Sequence, residues 1–247
     1  MKDFDPIKSW TKEVAARYDD DPRGDEEVAA LFLAGYAEGG SALEFAVGTG
    51  RIAIPLAQKG IQVEGIESSP AMVEKLKEKP LGQAIRVTLG DMSVVSTNKQ
   101  YRLVYLIFNT IFNLLTAEDQ IRCFENAARH MAPNGRFIVE TAVPQAWIAP
   151  DQADYVHAEH VGASEVVLDV ARYDPVTQLL EENHVRLTEA GISMKPIVCR
   201  LITPGEMDLM ARIAGLCLLE RFANWQRSPF GAGSRAHVSV YGFREVG

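Results

Sequence analysis

Residues 42–51 read ALEFAVGTGR and place a glycine loop between a short apolar strand and the helix that follows it. The two glycines, Gly48 and Gly50, allow the backbone to turn tightly and to approach a ligand closely. The backbone N–H groups at the start of the next helix then face that ligand. The segment therefore predicts a ligand site at the carboxyl end of a strand.

On both sides of this loop, strand patterns alternate with helical patterns. Strands are predicted at 42–46, 61–66, 84–89, 102–108, 136–142, 216–223 and 237–244. Helices are predicted over the first 20 residues and at 25–38, 51–58, 70–79, 117–131 and 204–215, with a turn at 133–135. Such alternation predicts an α/β fold with a doubly wound, seven-stranded, mostly parallel sheet. Its ligand crevice should lie at the carboxyl ends of the strands.

The alternation is interrupted between residues 144 and 203. Three strand-like segments, 165–173, 178–188 and 192–202, are separated there by turn signals at Asp174-Pro175 and Ala190-Gly191. We therefore expect one domain formed by residues 1–143 and 204–247, with residues 144–203 as an antiparallel β insertion. The insertion is predicted to form a lid over the crevice.

The composition excludes several classes of partner and site. The 247 residues carry a formal net charge of −8, without a cluster of lysine and arginine, which argues against nucleic acid. No signal peptide or membrane-spanning stretch is visible, so a cytoplasmic location without membrane attachment is expected. Three widely spaced cysteines support neither a metal site nor a disulfide framework. A homo-oligomer is compatible with the sequence, which does not decide it.

The acidic residue before the loop separates two classes of cofactor. Residues 48–53, GTGRIA, satisfy the GxGxxA form of a dinucleotide site, so the loop alone leaves a nicotinamide cofactor open. Glu44, however, lies on the strand four residues before Gly48. Its carboxylate would repel a pyrophosphate, whereas it would attract an ammonium or a sulfonium group.

The segment resembles the first motif of class I methyltransferases that use S-adenosyl-L-methionine, written E/D-x-G-x-G-x-G. Glu44, Gly48 and Gly50 match that motif, Ala46 replaces its first glycine, and Val47 stands where cysteine is frequent. The resemblance implies a Rossmann-like methyltransferase fold and cofactor contacts from Glu44, Ala46, Gly48 and Gly50. It also implies that S-adenosyl-L-homocysteine is the product formed from the cofactor.

Later positions extend the resemblance along the next two strands. Glu67, followed by Ser68, ends the second strand about 20 residues past the loop, where an acid can accept hydrogen bonds from ribose hydroxyls. Asp91 and Met92 follow the third strand. The family places at these positions an acid for the adenine amino group and a residue that packs on the base.

Three further cofactor contacts rest on the same resemblance. In the family, the loop after the fourth strand holds the methionine end of the cofactor, which implicates Phe108, Asn109 and Asn113. The alternative for Asn113 is a turn residue before the helix N-cap Thr116. Tyr18 resembles the tyrosine of an N-terminal helix that folds over the cofactor, although a core position is its alternative.

The acceptor site is less clearly marked. Phe112, Trp147 and Trp225 are candidates for its apolar wall, and His160 for a polar contact, although each aromatic residue also fits a core position. Candidate general bases are Tyr155, His157, His160 and His184. His157 and His160 are three residues apart without a third ligand, so we interpret residues 154–160 as a solvated helix or loop and predict no metal site. No catalytic base is assigned.

These observations favour a methyltransferase that acts on a small molecule or short peptide. The absence of a metal site and of a clear base favours N-methylation, because an amine needs only a route to lose its proton. Residues 108–120 and 210–216 resemble enzymes of bacterial secondary metabolism. O- or C-methylation of a metabolite, a non-catalytic cofactor-binding module and an NAD(P)-dependent oxidoreductase are the alternatives.

Overall fold

The order of the strands in the main sheet places one crevice at the centre of the protein. The structure is a computed structural model that describes residues 1, 4–6, 9–20, 22–148 and 153–244. These residues form a seven-stranded sheet and a separate four-stranded sheet. The strands are β1 (Ser41–Phe45), β2 (Gln62–Glu67), β3 (Arg86–Leu89), β4 (Tyr101–Leu106), β5 (Met131–Ala142), β6 (Asp154–Val161), β7 (Glu165–Asp174), β8 (Leu179–Thr188), β9 (Gly191–Arg200), β10 (Leu216–Phe222) and β11 (Ala236–Phe243).

The main sheet has the order β10-β11-β5-β4-β1-β2-β3, and β11 pairs antiparallel with both of its neighbours. The chain runs outward from β1 to β3 and then crosses back to β4 on the other side of β1. The crevice between β1 and β4 is therefore the switch point at which open α/β sheets bind ligands. The predicted doubly wound, mostly parallel sheet is confirmed.

Helices cover both faces of this sheet. They are α1 (Lys12–Arg17), α2 (Glu26–Ala37), α3 (Ala53–Gln58), α4 (Pro70–Glu78), α5 (Ala117–His130) and α6 (Pro204–Ile213). Phe137 packs on one face with Phe124 of α5, whereas the adjacent Ile138 belongs to the core on the face of α2 and α3. This alternation follows from the two-residue period of a strand.

The helix starts are well specified by local sequence. Ser69 caps α4 through its hydroxyl, with Pro70 in the first turn, and Thr116 caps α5. Thr203 and Glu206 form a reciprocal capping box at the start of α6. These side chains satisfy N–H groups that lack partners within the helix, which explains why these starts match the predicted ones to within a residue.

The strand β5 differs from the prediction at its beginning. The sequence predicts a turn at residues 133–135 before a strand at 136, but β5 begins at Met131. The pairing with β4 shifts between Tyr101↔Met131 and Leu103↔Arg136, so three extra residues bulge out of β5 without ending it. Tertiary pairing on both sides of the bulge overrides the local turn signal.

The second sheet has the antiparallel order β6-β7-β8-β9, and β6 corrects a prediction. Residues 154–160 form a strand and not a solvated helix or loop. His157 pairs with Asp169 of β7, and His160 pairs with Val167 after a bulge between Ala158 and His160. The bulge breaks the two-residue alternation, and polar side chains on both faces hide the strand pattern in the sequence.

Among the described residues, no helix combines the length and the apolar character needed to cross a membrane.

Candidate functional site

The glycine loop after β1 has an unusual backbone at three alternate positions. Ala46, Gly48 and Gly50 have φ angles of 53°, 56° and 80°. Glycine adopts this left-handed region without strain, whereas a residue with a Cβ pays about 1–2 kcal/mol. Ala46 therefore has the backbone conformation for which the motif uses glycine, and this conformation strains the alanine.

Val47 fills a space that a glycine on the neighbouring strand leaves open. Its side chain is buried, and its backbone N–H donates to the carbonyl of Ile66 at 3.0 Å. A Cβ added to Gly65 of β2 would lie 2.6 Å from a methyl group of Val47. The valine at the position where the motif often has cysteine is thus accommodated by Gly65.

We expect the Gly65→Ala substitution to lower the free energy of unfolding by about 1–3 kcal/mol, because an extra methyl group overpacks this contact. Urea denaturation of wild type and variant measures the change. The Val47→Gly background removes both methyl groups and the Val47 Cβ, which would lie 2.7 Å from the added carbon, so the same substitution should cost much less there. Equal costs in both backgrounds would contradict the assigned contact.

Glu44 is a buried acid within β1, close to its carboxyl end. Its side chain is 3% exposed, and the hydroxyl of Tyr105 on β4 donates to its carboxyl group at 3.0 Å. Burial raises the pKa of Glu44 to about 8, against the opposing influence of the Tyr105 hydrogen bond and the positive charge of Arg51. Without an added positive charge, this carboxyl group therefore holds a proton at neutral pH.

Glu67 joins the loops that follow the first two strands. Its carboxylate accepts hydrogen bonds from the backbone N–H groups of Gly48, at 2.9 Å, and Ser69, at 2.8 Å. The Ser68 hydroxyl lies 3.5 Å from the same carboxylate. Burial raises the pKa of Glu67, and these hydrogen bonds oppose that shift. Glu67 therefore holds the glycine loop against the start of α4.

Two guanidinium groups lie on the opposite side of the loop from β2. Arg51 pairs with Asp25 at 2.5 Å and Glu26 at 3.4 Å. The guanidinium carbon of Arg23 lies 3.3 Å from the centroid of the Phe108 ring, and that of Arg51 lies 5.5 Å from it. The site thus combines cationic groups with the buried carboxyl groups of β1 and β2.

The N-terminal segment closes over this group of charges. Burial raises the pKa of the Tyr18 hydroxyl, which also feels the charges of Arg51, Arg23, Glu67 and Glu44. Asp19 accepts a hydrogen bond from the hydroxyl of Thr49 at 2.7 Å and pairs with Lys79 at 2.8 Å. These contacts fasten the end of α1 to the glycine loop and bring Tyr18, the residue before Asp19, to the same side of the site.

Asp91 and Met92 follow β3 at the same edge of the sheet. Asp91 accepts a hydrogen bond from the N–H of Ser93 at 2.7 Å, and Met92 is 8% exposed. The side-chain amide of Asn126 on α5 donates to the carbonyl of Met92 at 2.8 Å. The turn is thereby held in a defined conformation beside the end of β2.

The loop after β4 has left-handed backbone at Phe108 and Asn109, with φ angles of 59° and 60°. The N–H of Phe108 donates to Glu140 at 2.5 Å. The side-chain oxygen of Asn109 accepts from the N–H of Ala142 at 2.5 Å and so ties the loop to β5. The backbone N–H of Asn109 donates to the carbonyl of Glu140 at 3.2 Å, and its carbonyl accepts from Phe112 at 2.9 Å. The side-chain amide nitrogen is therefore the polar group that Asn109 can present to a ligand.

The predicted acceptor residues do not form one surface. The ring centroids of Phe112 and Trp147 are 5.6 Å apart on the α5 face of the sheet, and only Trp147 is partly exposed. Trp225 lies on the α2 face, buried against Phe32 at 5.3 Å, so it belongs to the core and not to a wall with Phe112. His160 is exposed on the edge strand β6.

Asn113 connects this region to the second sheet. The thiol of Cys199 on β9 lies 3.9 Å from the side-chain oxygen of Asn113. Cys199 packs in the same core cluster as Phe112, with Trp147 at the edge of that cluster. One face of the second sheet therefore reaches the loop that follows β4.

Four residues of this site were not among the predicted ones. Arg51 directly follows Gly50, so its position in the motif could have indicated it. Glu140 is an isolated carboxylate in the apolar segment 137–142, and such a residue is a signal for a buried site. Arg23 lies between two helices and Tyr105 within an apolar strand, so neither has a sequence pattern that marks it.

Comparisons with known proteins agree with this geometry. Residues 42–135 match the family model described as a methyltransferase domain. The chain is similar to the CcbJ methyltransferase from Streptomyces caelestis, with 36% identity and a TM-score of 0.90 over 97% of this chain and 99% of that one. The chain belongs to the S-adenosylmethionine-dependent methyltransferases.

Two proteins of lower sequence identity are also similar to this methyltransferase. The cypemycin N-terminal methyltransferase of a Streptomyces species is 23% identical over 203 residues, which cover 82% of this chain and 83% of that protein. The fold is shared with CalS10 from Micromonospora echinaspora, an amino pentose methyltransferase that was solved with its cofactor bound. Its TM-score is 0.66 at 24% identity, over 92% and 95% of the two chains. The predicted enzyme class and cofactor, S-adenosyl-L-methionine, are confirmed.

Proposed function

We propose that this methyltransferase binds its cofactor across the carboxyl ends of β1, β2 and β4 and methylates a nitrogen atom of a natural product or short peptide. The observation that carries the cofactor site is the meeting of buried carboxyl groups and guanidinium groups at one loop. The cofactor is itself of mixed charge, with an ammonium, a sulfonium and a carboxylate. A cofactor with a diphosphate would place negative charge beside Glu44 and Glu67, and the repulsion between like charges would weaken its binding.

The two acids have different tasks in this proposal. Glu44 faces the positive end of the cofactor, and the added charge lets its buried carboxyl group ionise. Glu67 accepts hydrogen bonds from the ribose hydroxyls with Ser68 beside it, while Gly48 and Gly50 let the backbone approach. The backbone N–H groups that already hold Glu67 orient its carboxylate for this task.

The remaining cofactor contacts follow from position. Asp91 accepts from the adenine amino group, and Met92 packs against the base. Tyr18, with Arg51 and Arg23, faces the cofactor carboxylate. On the other side of the crevice, the cofactor contacts are Ala46, Phe108, Asn109 and Asn113.

The second sheet is the proposed lid of the acceptor site, within residues 144–203. The contact between Cys199 and Asn113 brings one of its faces to the loop after β4, and Trp147 lies beside that loop. A lid at this place would exclude water and align the acceptor with the methyl group. Phe112 would pack against Trp147 and hold its ring in place. We assign no role to His160, which is exposed on the edge strand β6.

Nitrogen is the proposed acceptor atom. The bound cofactor supplies a methyl group on a strong leaving group, so the protein has to align and desolvate the acceptor. A neutral amine attacks without a metal or a dedicated base, in contrast to a hydroxyl group. The name of the cypemycin N-terminal methyltransferase indicates the same atom for a relative.

Matched acceptors test this proposal directly. Glucosamine and glucose, and Ala-Ala-Ala with a free or an acetylated N-terminus, are incubated with enzyme and cofactor that carries a deuterated methyl group. Mass spectrometry should find the label on nitrogen in the free amines and no transfer to the partners that lack a free amine. A methyl group on oxygen or carbon would contradict N-methylation.

A further inference from the structure

The inner face of the second sheet carries a polar group close to the proposed acceptor site. We call inner the face that bears Leu180 and Cys199, which pack in the core cluster around Phe112. Glu182 lies two residues beyond Leu180 on β8 and therefore on the same face, about 7 Å further along the strand. Tyr155 joins it there, because Ala171 pairs with both Tyr155 and Glu182.

Tyr155 holds two acidic side chains together. Its hydroxyl lies 3.2 Å from the carboxyl group of Asp169 and 3.3 Å from that of Glu182. A phenol has a single proton, so it can donate to only one of the two acids at a time. Burial raises the pKa of both acids, that of Glu182 to about 7 with a further contribution from the charge of Asp169.

This group has more acceptor atoms than donors. The second carboxyl oxygen of Asp169 is shielded from solvent and has no hydrogen-bond partner among the described residues. The neighbouring His184 is held by Glu159 at 3.0 Å. No lysine or arginine of the described chain pairs with Asp169 or Glu182. Lys195 lies on the same face, where it pairs in strand register with His184, but among the described residues no ion pair joins it to either acid. The two acids therefore have no ion-pair partner with several N–H donors in this part of the chain.

We propose that Asp169 and Glu182, bridged by Tyr155, bind an ammonium group of the methyl acceptor. An ammonium supplies both missing elements, since it brings a positive charge and up to three N–H donors to two acids and an unpaired oxygen. The acceptor class is accordingly a small molecule or short peptide with a protonated amine. One carboxylate of the pair takes a proton from the bound ammonium, and the neutral nitrogen then attacks the methyl group. This inference rests on the proposed function, and it adds that the enzyme selects acceptors by the positive charge of their amine.

The test measures binding to enzyme that is saturated with S-adenosyl-L-homocysteine, so that turnover is not required. The probes are glucosamine, ethylammonium and Ala-Ala-Ala amide, each compared with its neutral N-acetyl form. The ¹³C resonances of aspartate and glutamate carboxyl groups report contact. We expect saturable shifts of Asp169 and Glu182 with at least one charged probe and none with the neutral forms.

Variants assign the binding to this group. Glu182→Gln and Asp169→Asn should each weaken binding of the charged probe by about tenfold or more. Glu181→Gln is the matched control, because Glu181 is the adjacent residue on the outer face, where it pairs with Arg172 at 3.0 Å and with the N-terminal amino group of Met1. The control should bind the probe as tightly as wild type.

Two results would overturn the inference. One is the absence of saturable binding by all three charged probes. The other is equal affinity of wild type, Glu182→Gln and Asp169→Asn. In either case, if the enzyme still binds S-adenosyl-L-homocysteine, the proposed cofactor site and reaction stand. If the enzyme does not bind S-adenosyl-L-homocysteine, the proposed function itself is contradicted.

Discussion

The Glu67→Ala variant is expected to bind S-adenosyl-L-methionine about 10- to 100-fold more weakly than wild type and to be less stable by about 2 kcal/mol. Two effects combine in this residue. The carboxylate is the proposed acceptor for the ribose hydroxyls, and hydrogen bonds to a charged group are among the strong ones. It also satisfies the N–H groups of Gly48 and Ser69, which the alanine would leave without partners.

Calorimetric titration and urea denaturation separate the two effects of Glu67. Glu64→Gln provides the matched control, because Glu64 is also a buried acid of β2 but pairs with Lys99 and Tyr101 away from the loop. The control should lose stability without a comparable loss of affinity. An unchanged dissociation constant in Glu67→Ala would show that Glu67 does not contact the cofactor.

Glu44 gives the second large effect, a dependence of cofactor affinity on pH. Because burial raises its pKa to about 8 in the free protein, binding of a positively charged cofactor should expel the proton. Affinity should then rise by up to about tenfold per pH unit between pH 6 and 8. Titrations in buffers of different ionisation enthalpy should detect release of up to about one proton.

The Glu44→Gln variant isolates this contribution of Glu44. It should bind the cofactor about tenfold or more weakly at pH 8, and its affinity should vary less with pH. A raised pKa favours folding most below the pKa of the unfolded chain, near 4.5, and this contribution disappears as the pH rises through 8. Between pH 4.5 and 8, the stability of the cofactor-free variant should therefore increase relative to that of wild type. A wild-type affinity that stays constant between pH 6 and 8 would contradict the assigned role.

Much of the fold could be predicted because each element carries its own local signal. The strands of the main sheet are short apolar runs, and Ser69, Thr116 and Thr203 mark helix starts by their hydroxyl groups. The exceptions depend on pairing with distant residues. Neither the bulge that starts β5 at Met131 nor the pairing of β6 with β7 has a pattern within its own segment.

The candidate site likewise contains residues that the sequence could place and residues that it could not. Glu44, Glu67 and Asp91 could be expected to lie close together, because the carboxyl ends of adjacent parallel strands meet at one edge of a sheet. The stacking of Arg23 on Phe108 joins segments 85 residues apart, and nothing in either segment indicates it. The sequence allows Trp225 to line a pocket or to pack in the core. Only the folded structure, in which Trp225 contacts Phe32 on the α2 face, decides between the two.

The most direct test of the cofactor site is calorimetric titration of the protein with S-adenosyl-L-methionine, S-adenosyl-L-homocysteine and, as a control, NADH. Binding of the first two at micromolar concentration, without binding of NADH, is the predicted result. Absence of binding by both methionine-derived ligands would contradict the account, because the strained backbone at Ala46 would then belong to a loop that no longer accepts the cofactor.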